Sequence, residues 1–137
     1  MVRERLPSQA ARRIEREAGR KTADYLLARR IPAAVQKLLR TLPASLAGPA
    51  LLAAIAPHAW TFLGSGRYLA HAGRPVVITI GACPICCGAR AEAPLCDYYA
   101  ATFARLFAEL VDPRATAVET ECIAAGAHAC RFEVSWS

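Results

Sequence analysis

No stretch of this chain offers the roughly 18 consecutive apolar residues that a bilayer-spanning helix needs. The most apolar window, residues 42–62, is interrupted by Pro43, Pro49 and Pro57 and also holds His58. The opening residues MVRERLPSQAARRIER carry charge without an apolar segment. A secretory leader is therefore not expected, and a cytoplasmic protein with at most peripheral membrane contact is. Nucleotide signatures are missing as well. Gly64-Ser65-Gly66 lacks the third glycine of a dinucleotide turn and opens no helix, and there is no phosphate-loop lysine. No nucleotide cofactor is expected. Ser-His-Asp and paired-carboxylate patterns are absent, and His58, His71 and His128 form no i, i+4 pair.

The 137 residues suffice for a hydrophobic core without covalent staples. The expectation is one domain over 1–137, helical over 1–58, with a sheet, a long helix and a hairpin over 59–137. Hydrophobic residues make up 55% of the chain, much of it alanine, so the excess lies in small side chains. The net charge of +6 is unevenly placed: residues 1–40 hold 11 of the 17 Lys and Arg against four acids. Such an arm suits a solvated helix face or a dimer contact better than nucleic acid, because no nucleic-acid module accompanies it. A homodimer is expected and a nucleic-acid partner is not.

Ala11, Ile14, Ala18, Thr22 and Tyr25 recur at helical spacing and predict the buried stripe of a first helix. Pro32 suits the first turn of a second, with Val35, Leu38, Leu39 and Leu42 on its apolar face. Pro43 and Pro49 are expected to break the next stretch into short pieces, before an apolar helix ending at Pro57. From Trp60 the pattern turns extended. PVVITIGA is the strongest strand signal, with Val76, Ile78 and Ile80 on one face and Val77 and Thr79 on the other. Pro94 starts a long helix whose stripe is Leu95, Tyr99, Thr102, Phe103, Leu106 and Leu110, and residues 115–122 and 129–136 form a closing hairpin. The class is α+β: N-terminal helices packed on an antiparallel sheet, in the order helices-β-β-α-β-β.

Four residues carry the chemistry. Cys122 and Cys130 flank a loop around Gly126 and can face each other across the hairpin mouth. Glu119 lies one step back on the first strand, and Cys96 opens the preceding helix. Thiolates and a carboxylate are zinc ligands, and four of them close a tetrahedral site. On spacing alone the thiols remain open to two other fates: buried small hydrophobes, or a cross-strand disulfide, which a reducing compartment disfavours. A second cluster, Cys83, Cys86 and Cys87 in ACPICCG, offers three thiols, one short of what an iron–sulfur cluster needs, and otherwise lines a pocket wall. His58 lies near Trp60 in the most apolar stretch, where it can meet a ligand. With Phe62, Tyr68, Tyr99 and Phe103, these residues are the candidates to line a ligand pocket.

The segments PVVITIG, CPICCG, LCDYYAATFARLFAELV and VETECIAAGAHACRFEV resemble the 4-vinyl reductase domain family, most closely its bacteriochlorophyll-biosynthesis branch. The most specific block is E-x-x-C-x-x-x-G-x-x-x-C-x-F-E-V. The resemblance runs from about Pro75 to Val134. It implies a ligand-binding fold shared with aromatic-sensing regulators and a Golgi transport subunit, usually dimeric. It also implies a structural zinc on Cys96, Glu119, Cys122 and Cys130. The implied function is assistance to bacteriochlorophyll synthesis by binding a chlorophyllide-type tetrapyrrole, alongside the enzymes of that synthesis. Two alternatives are a vinyl reductase drawing on an external electron donor and a small-molecule sensor domain.

Overall fold

A computed structural model describes residues 8–59, 64, 66–73, 75–84 and 96–136. Trp60, Phe62, Cys86, Cys87 and the expected helix start at Pro94 lie outside them. Helix α1 (Ser8–Tyr25) runs into one π-helical turn (Leu26–Arg30). Helices α2 (Ala33–Thr41) and α3 (Ala44–Ile55) each come after a proline in extended conformation, Pro32 and Pro43. A proline ring presets the backbone before a helix and gives up no intrahelical bond there. Next in the chain are strands β1 (Arg67–His71) and β2 (Val76–Gly81), helix α4 (Asp97–Leu110), and strands β3 (Thr116–Glu121) and β4 (Cys130–Ser135). The α+β class expected from the sequence holds.

The sheet is antiparallel in the order β1-β2-β4-β3, so PVVITIG runs between two neighbours. Val76, Ile78 and Ile80 on β2 and Cys130, Phe132 and Val134 on β4 face inward and are almost wholly buried. Helix α4 covers that face with Tyr99, Thr102, Phe103, Leu106, Phe107 and Leu110. Tyr99 and Phe103 meet Phe132 edge-on, with ring centroids 6.2 and 5.5 Å apart. Phe107, absent from the expected stripe, stacks on Trp136 at 6.0 Å. The other sheet face is more open: Leu69 and Val118 are exposed there, beside the Arg131–Glu133 ion pair.

Three expectations about the helices change. Pro49 does not break a helix but lies inside α3. Both Pro49 and Ser45, four residues earlier, are exposed, so the Ser45 carbonyl that loses its partner is open to water. On α2, Leu38 is exposed and Gln36 is buried instead, its amide donating to the carbonyl oxygens of Leu27 and Ile31 (2.9 Å to the latter). Those two acceptors belong to the π-helical turn and its exit, which explains why a polar side chain is tolerated there.

The third change concerns α1. Its buried stripe is Ala11, Glu15, Gly19, Ala23 and Leu26, while Ile14 and Tyr25 are exposed. The helical period is correct, but the buried face differs from the expected one, which was chosen by its large apolar side chains. Close approach to α4 selects small ones. Gly19 lies against the backbone of Tyr98 and the Cβ of Ala101, and its carbonyl accepts a hydrogen bond from the Thr102 hydroxyl (3.1 Å). Arg12–Asp97 (2.9 Å) and Thr22–Tyr98 (2.6 Å) flank that contact.

Candidate metal centre

The four side chains read from the sequence converge beside the N-terminus of α4. The ligand atoms of Cys96, Glu119, Cys122 and Cys130 all lie within 4.8 Å of one another. Cys96 is the N-cap residue of α4. Cys130 opens β4 opposite Ile80, facing the core. Cys122 comes directly after β3 and leads into a short 3₁₀ turn (Ile123–Ala125) that ends at Gly126, whose φ of +99° suits only glycine comfortably.

Strict alternation along β3 would place Glu119 and Cys122, three residues apart, on opposite faces of the sheet. A β-bulge resolves this. Glu119 pairs with Phe132, whereas Glu121 pairs with Arg131, so Thr120 is the extra residue. The insertion flips the chain by one step and returns Cys122 to the face of Glu119.

The Sγ atoms of Cys96 and Cys130 are 3.8 Å apart, as are those of Cys122 and Cys130. A tetrahedron with metal–sulfur arms of about 2.3 Å has edges of about 3.8 Å, so the spacing fits a shared cation. It is far from the length of a disulfide bond, about 2 Å, and none of the four described cysteines is bridged. Glu119 Oε1 accepts the backbone N–H of Cys96 at 2.7 Å. Its second oxygen, Oε2, is buried without a hydrogen-bond partner among the described residues. A buried carboxylate oxygen left so is costly, and a cation among three thiols is the partner its chemistry suits. These four residues can hold a metal ion.

Cys83 belongs to this neighbourhood rather than only to the CPICC loop. It is buried, with its Sγ 3.5 Å from that of Cys96. Thiol contacts with Cys130 and then Cys83, followed by burial, push the Cys96 thiol far above its ordinary value. Burial also raises the Glu119 carboxyl, against the opposing Cys96 N–H bond. Without a cation these acids hold their protons.

A pH dependence of opposite sign for the two forms follows. In protein stripped by a chelator, Cys96 keeps a proton that the unfolded chain releases above its ordinary thiol value of 9.0. Stability is then complete below that pH and falls as pH rises beyond it. In metal-loaded protein, protons compete for the thiolates, so stability falls as pH is lowered. Urea midpoints at several pH values, with and without chelator, check both signs.

The other sequence candidates lie elsewhere. Tyr99 and Phe103 sit in the core against Phe132. Tyr68 is half-buried and donates to the Leu52 carbonyl at 3.3 Å. Burial raises its phenol. His58 ends the 3₁₀ turn next to α3 and is half-buried. A groove of about 530 Å³ between α1, α4 and β3 is lined by none of these, but by Arg12, Arg16, Arg20, Arg105 and several alanines, with Glu119 at its border. The i, i+4, i+8 spacing of the three α1 arginines was its only sequence signal.

Residues 76–135 match the family model of the vinyl-4-reductase domain. The chain is 47% identical over 133 residues to the bacteriochlorophyll synthase 23 kDa chain of Cereibacter sphaeroides, covering 97% of this chain and 64% of that one. It is 43% identical over 115 residues to the like-named protein of Rhodobacter capsulatus, covering 84% and 54%. The chain therefore spans less than two thirds of the length of either relative. A solved vinyl-4-reductase family protein from Methanocaldococcus jannaschii superposes with a TM-score of 0.44 at 17% identity, over 83% of this chain and 73% of that chain.

Proposed function

Through residues 76–135 this chain belongs to the vinyl-4-reductase domain family, and on that premise we propose that it assists bacteriochlorophyll biosynthesis by binding a chlorophyllide-type tetrapyrrole, as a carrier or accessory protein. The observation that carries this function is the identity, over nearly the whole chain, with a protein named as a chain of bacteriochlorophyll synthase. Enzymes of that synthesis are the proposed partners, and a homodimer the proposed assembly, with the exposed Leu69 and Val118 of the open sheet face available to a second copy. The proposed setting is the cytoplasm, at most peripheral to the photosynthetic membrane. No helix among the described residues is long and apolar enough to cross a membrane.

The proposed ion is zinc, on Cys96, Glu119, Cys122 and Cys130. Three thiolates and a carboxylate suit its borderline-soft character, and four protein donors leave no open position for a substrate. Its role is to pin the start of α4 to the β3–β4 hairpin.

Titration of the purified protein with divinyl and monovinyl chlorophyllide, followed by absorbance, tests the function. Saturable binding with a shifted spectrum is expected, with about one zinc per chain and no vinyl reduction when NADPH or a low-potential donor is supplied. Reduction of the vinyl group by this protein and a donor would replace the carrier by the enzyme.

A further inference from the structure

We infer that the groove between α1, α4 and β3 is where the ligand docks, its apolar ring system on the alanine floor and its carboxylate on Arg16 and Arg20. This rests on the tetrapyrrole-binding function proposed above and adds the place, the orientation and the charged group that is recognised.

The groove has a volume of about 530 Å³, within the range of roughly 300–1,000 Å³ usual for small-molecule sites. Six alanines line it, among them Ala104 and Ala108 on α4 and Ala117 on β3. Their side chains end at Cβ, so the wall between α4 and β3 is broad, shallow and apolar, a shape that accepts a flat ring rather than a branched chain.

One rim is basic. Arg12, Arg16 and Arg20 stand at successive turns of α1, about 5.4 Å apart along the axis, with Arg105 across from them. Four arginines face two carboxylates, Asp97 and Glu119, and Glu119 is turned to the thiols. Arg12 is engaged with Asp97 at 2.9 Å, Arg105 with Asp24 at 3.2 Å and with Glu109 at 3.5 Å. Arg20 holds only an exposed pair with Glu17 at 3.3 Å, and Arg16 has neither an ion pair nor a hydrogen bond to any described residue. Guanidinium groups with donors to spare beside an apolar wall select an amphipathic anion, because the planar fork binds a carboxylate in two-point fashion. Neutral apolar ligands gain nothing from that rim, and a small hydrophilic anion gains nothing from the floor.

Chlorophyllide a and its methyl ester, which differ only in that carboxylate, are the probes. The unaltered protein is expected to bind the acid at least about tenfold more tightly than the ester, the size of one charge-assisted hydrogen bond. The double variant Arg16→Glu/Arg20→Glu is expected to lose that preference. Ala104→Trp, which fills the floor, is expected to lose binding of both probes. Circular dichroism and melting temperature establish that both variants are folded. Equal affinity for acid and ester, an undiminished preference in the double variant, or unaltered binding by Ala104→Trp overturns the inference while leaving the carrier function standing. If the unaltered protein binds neither probe, the carrier function itself fails, and this inference with it.

Discussion

A Cys130→Ser variant is expected to hold no metal and to melt far below the parent protein. Cys130 is the shared corner of the thiol cluster, 3.8 Å from both Cys96 and Cys122, and it also receives the backbone N–H of Ile123 at 3.5 Å. Serine keeps the shape of the side chain but replaces a soft thiolate by a hydroxyl that stays protonated at neutral pH, so the cation loses one of four donors. Its binding energy is also folding energy, since an unfolded chain cannot bring together Cys96, Glu119, Cys122 and Cys130. The expected loss is about 4 kcal/mol or more, the range reserved for loss of a metal or a buried network. Metal content and thermal melting of the same sample check it. Cys83→Ser is the control: Cys83 touches Cys96 but lies outside the set of four, so that variant is expected to retain its metal. Undiminished metal content and an unchanged melting temperature in Cys130→Ser would remove the structural role assigned to the site.

Gly19→Val is the second large effect, and here two opposing contributions must be weighed. Glycine in a helix interior costs about 1 kcal/mol relative to alanine, so a larger residue would ordinarily stabilise α1. At this position an added Cβ would overlap the Tyr98 carbonyl oxygen, stand 2.8 Å from the Ala101 Cβ and 3.1 Å from the Thr102 nitrogen. Two of those three neighbours are backbone atoms of α4, which cannot swing aside. Relief requires α1 to move off α4, breaking the Thr102 bond to the Gly19 carbonyl and disturbing the Arg12–Asp97 pair. Steric cost therefore outweighs propensity, and a net destabilisation of about 3 kcal/mol is expected. Denaturant unfolding of Gly19→Ala and Gly19→Val separates the two: valine should be the worse, and any gain in stability from either would contradict the close contact. The same variants displace α1 and with it the arginine rim of the groove, so a measurable loss of acid-over-ester preference is expected to accompany them.

Much of the architecture was legible because its signals are local. Alternation in PVVITIG marked a strand, the 3.6-residue stripe of Tyr99, Phe103, Leu106 and Leu110 marked α4, and Gly126 between Cys122 and Cys130 marked the turn of a hairpin. Each rests on side-chain periods or backbone freedoms that neighbouring residues impose on one another. The α1 face was not legible, since Ile14 and Tyr25 looked more apolar than Ala11, Gly19 and Ala23. What buries a helix face is the distance to its partner, and only small residues permit the distance found here.

The sequence by itself determined the chemistry of the centre: three thiols, one carboxylate and the hairpin to carry them. Only the tertiary structure decided that they meet. Glu119 and Cys122 share a face because one extra residue, Thr120, interrupts the register between β3 and β4. That interruption is a property of strand pairing, set by where β4 lies, and it leaves no mark in the period of β3 alone. The groove has the same origin. The arginines of α1 and the alanines of α4 are far apart in the chain, and they face each other because Gly19 allows the two helices to touch.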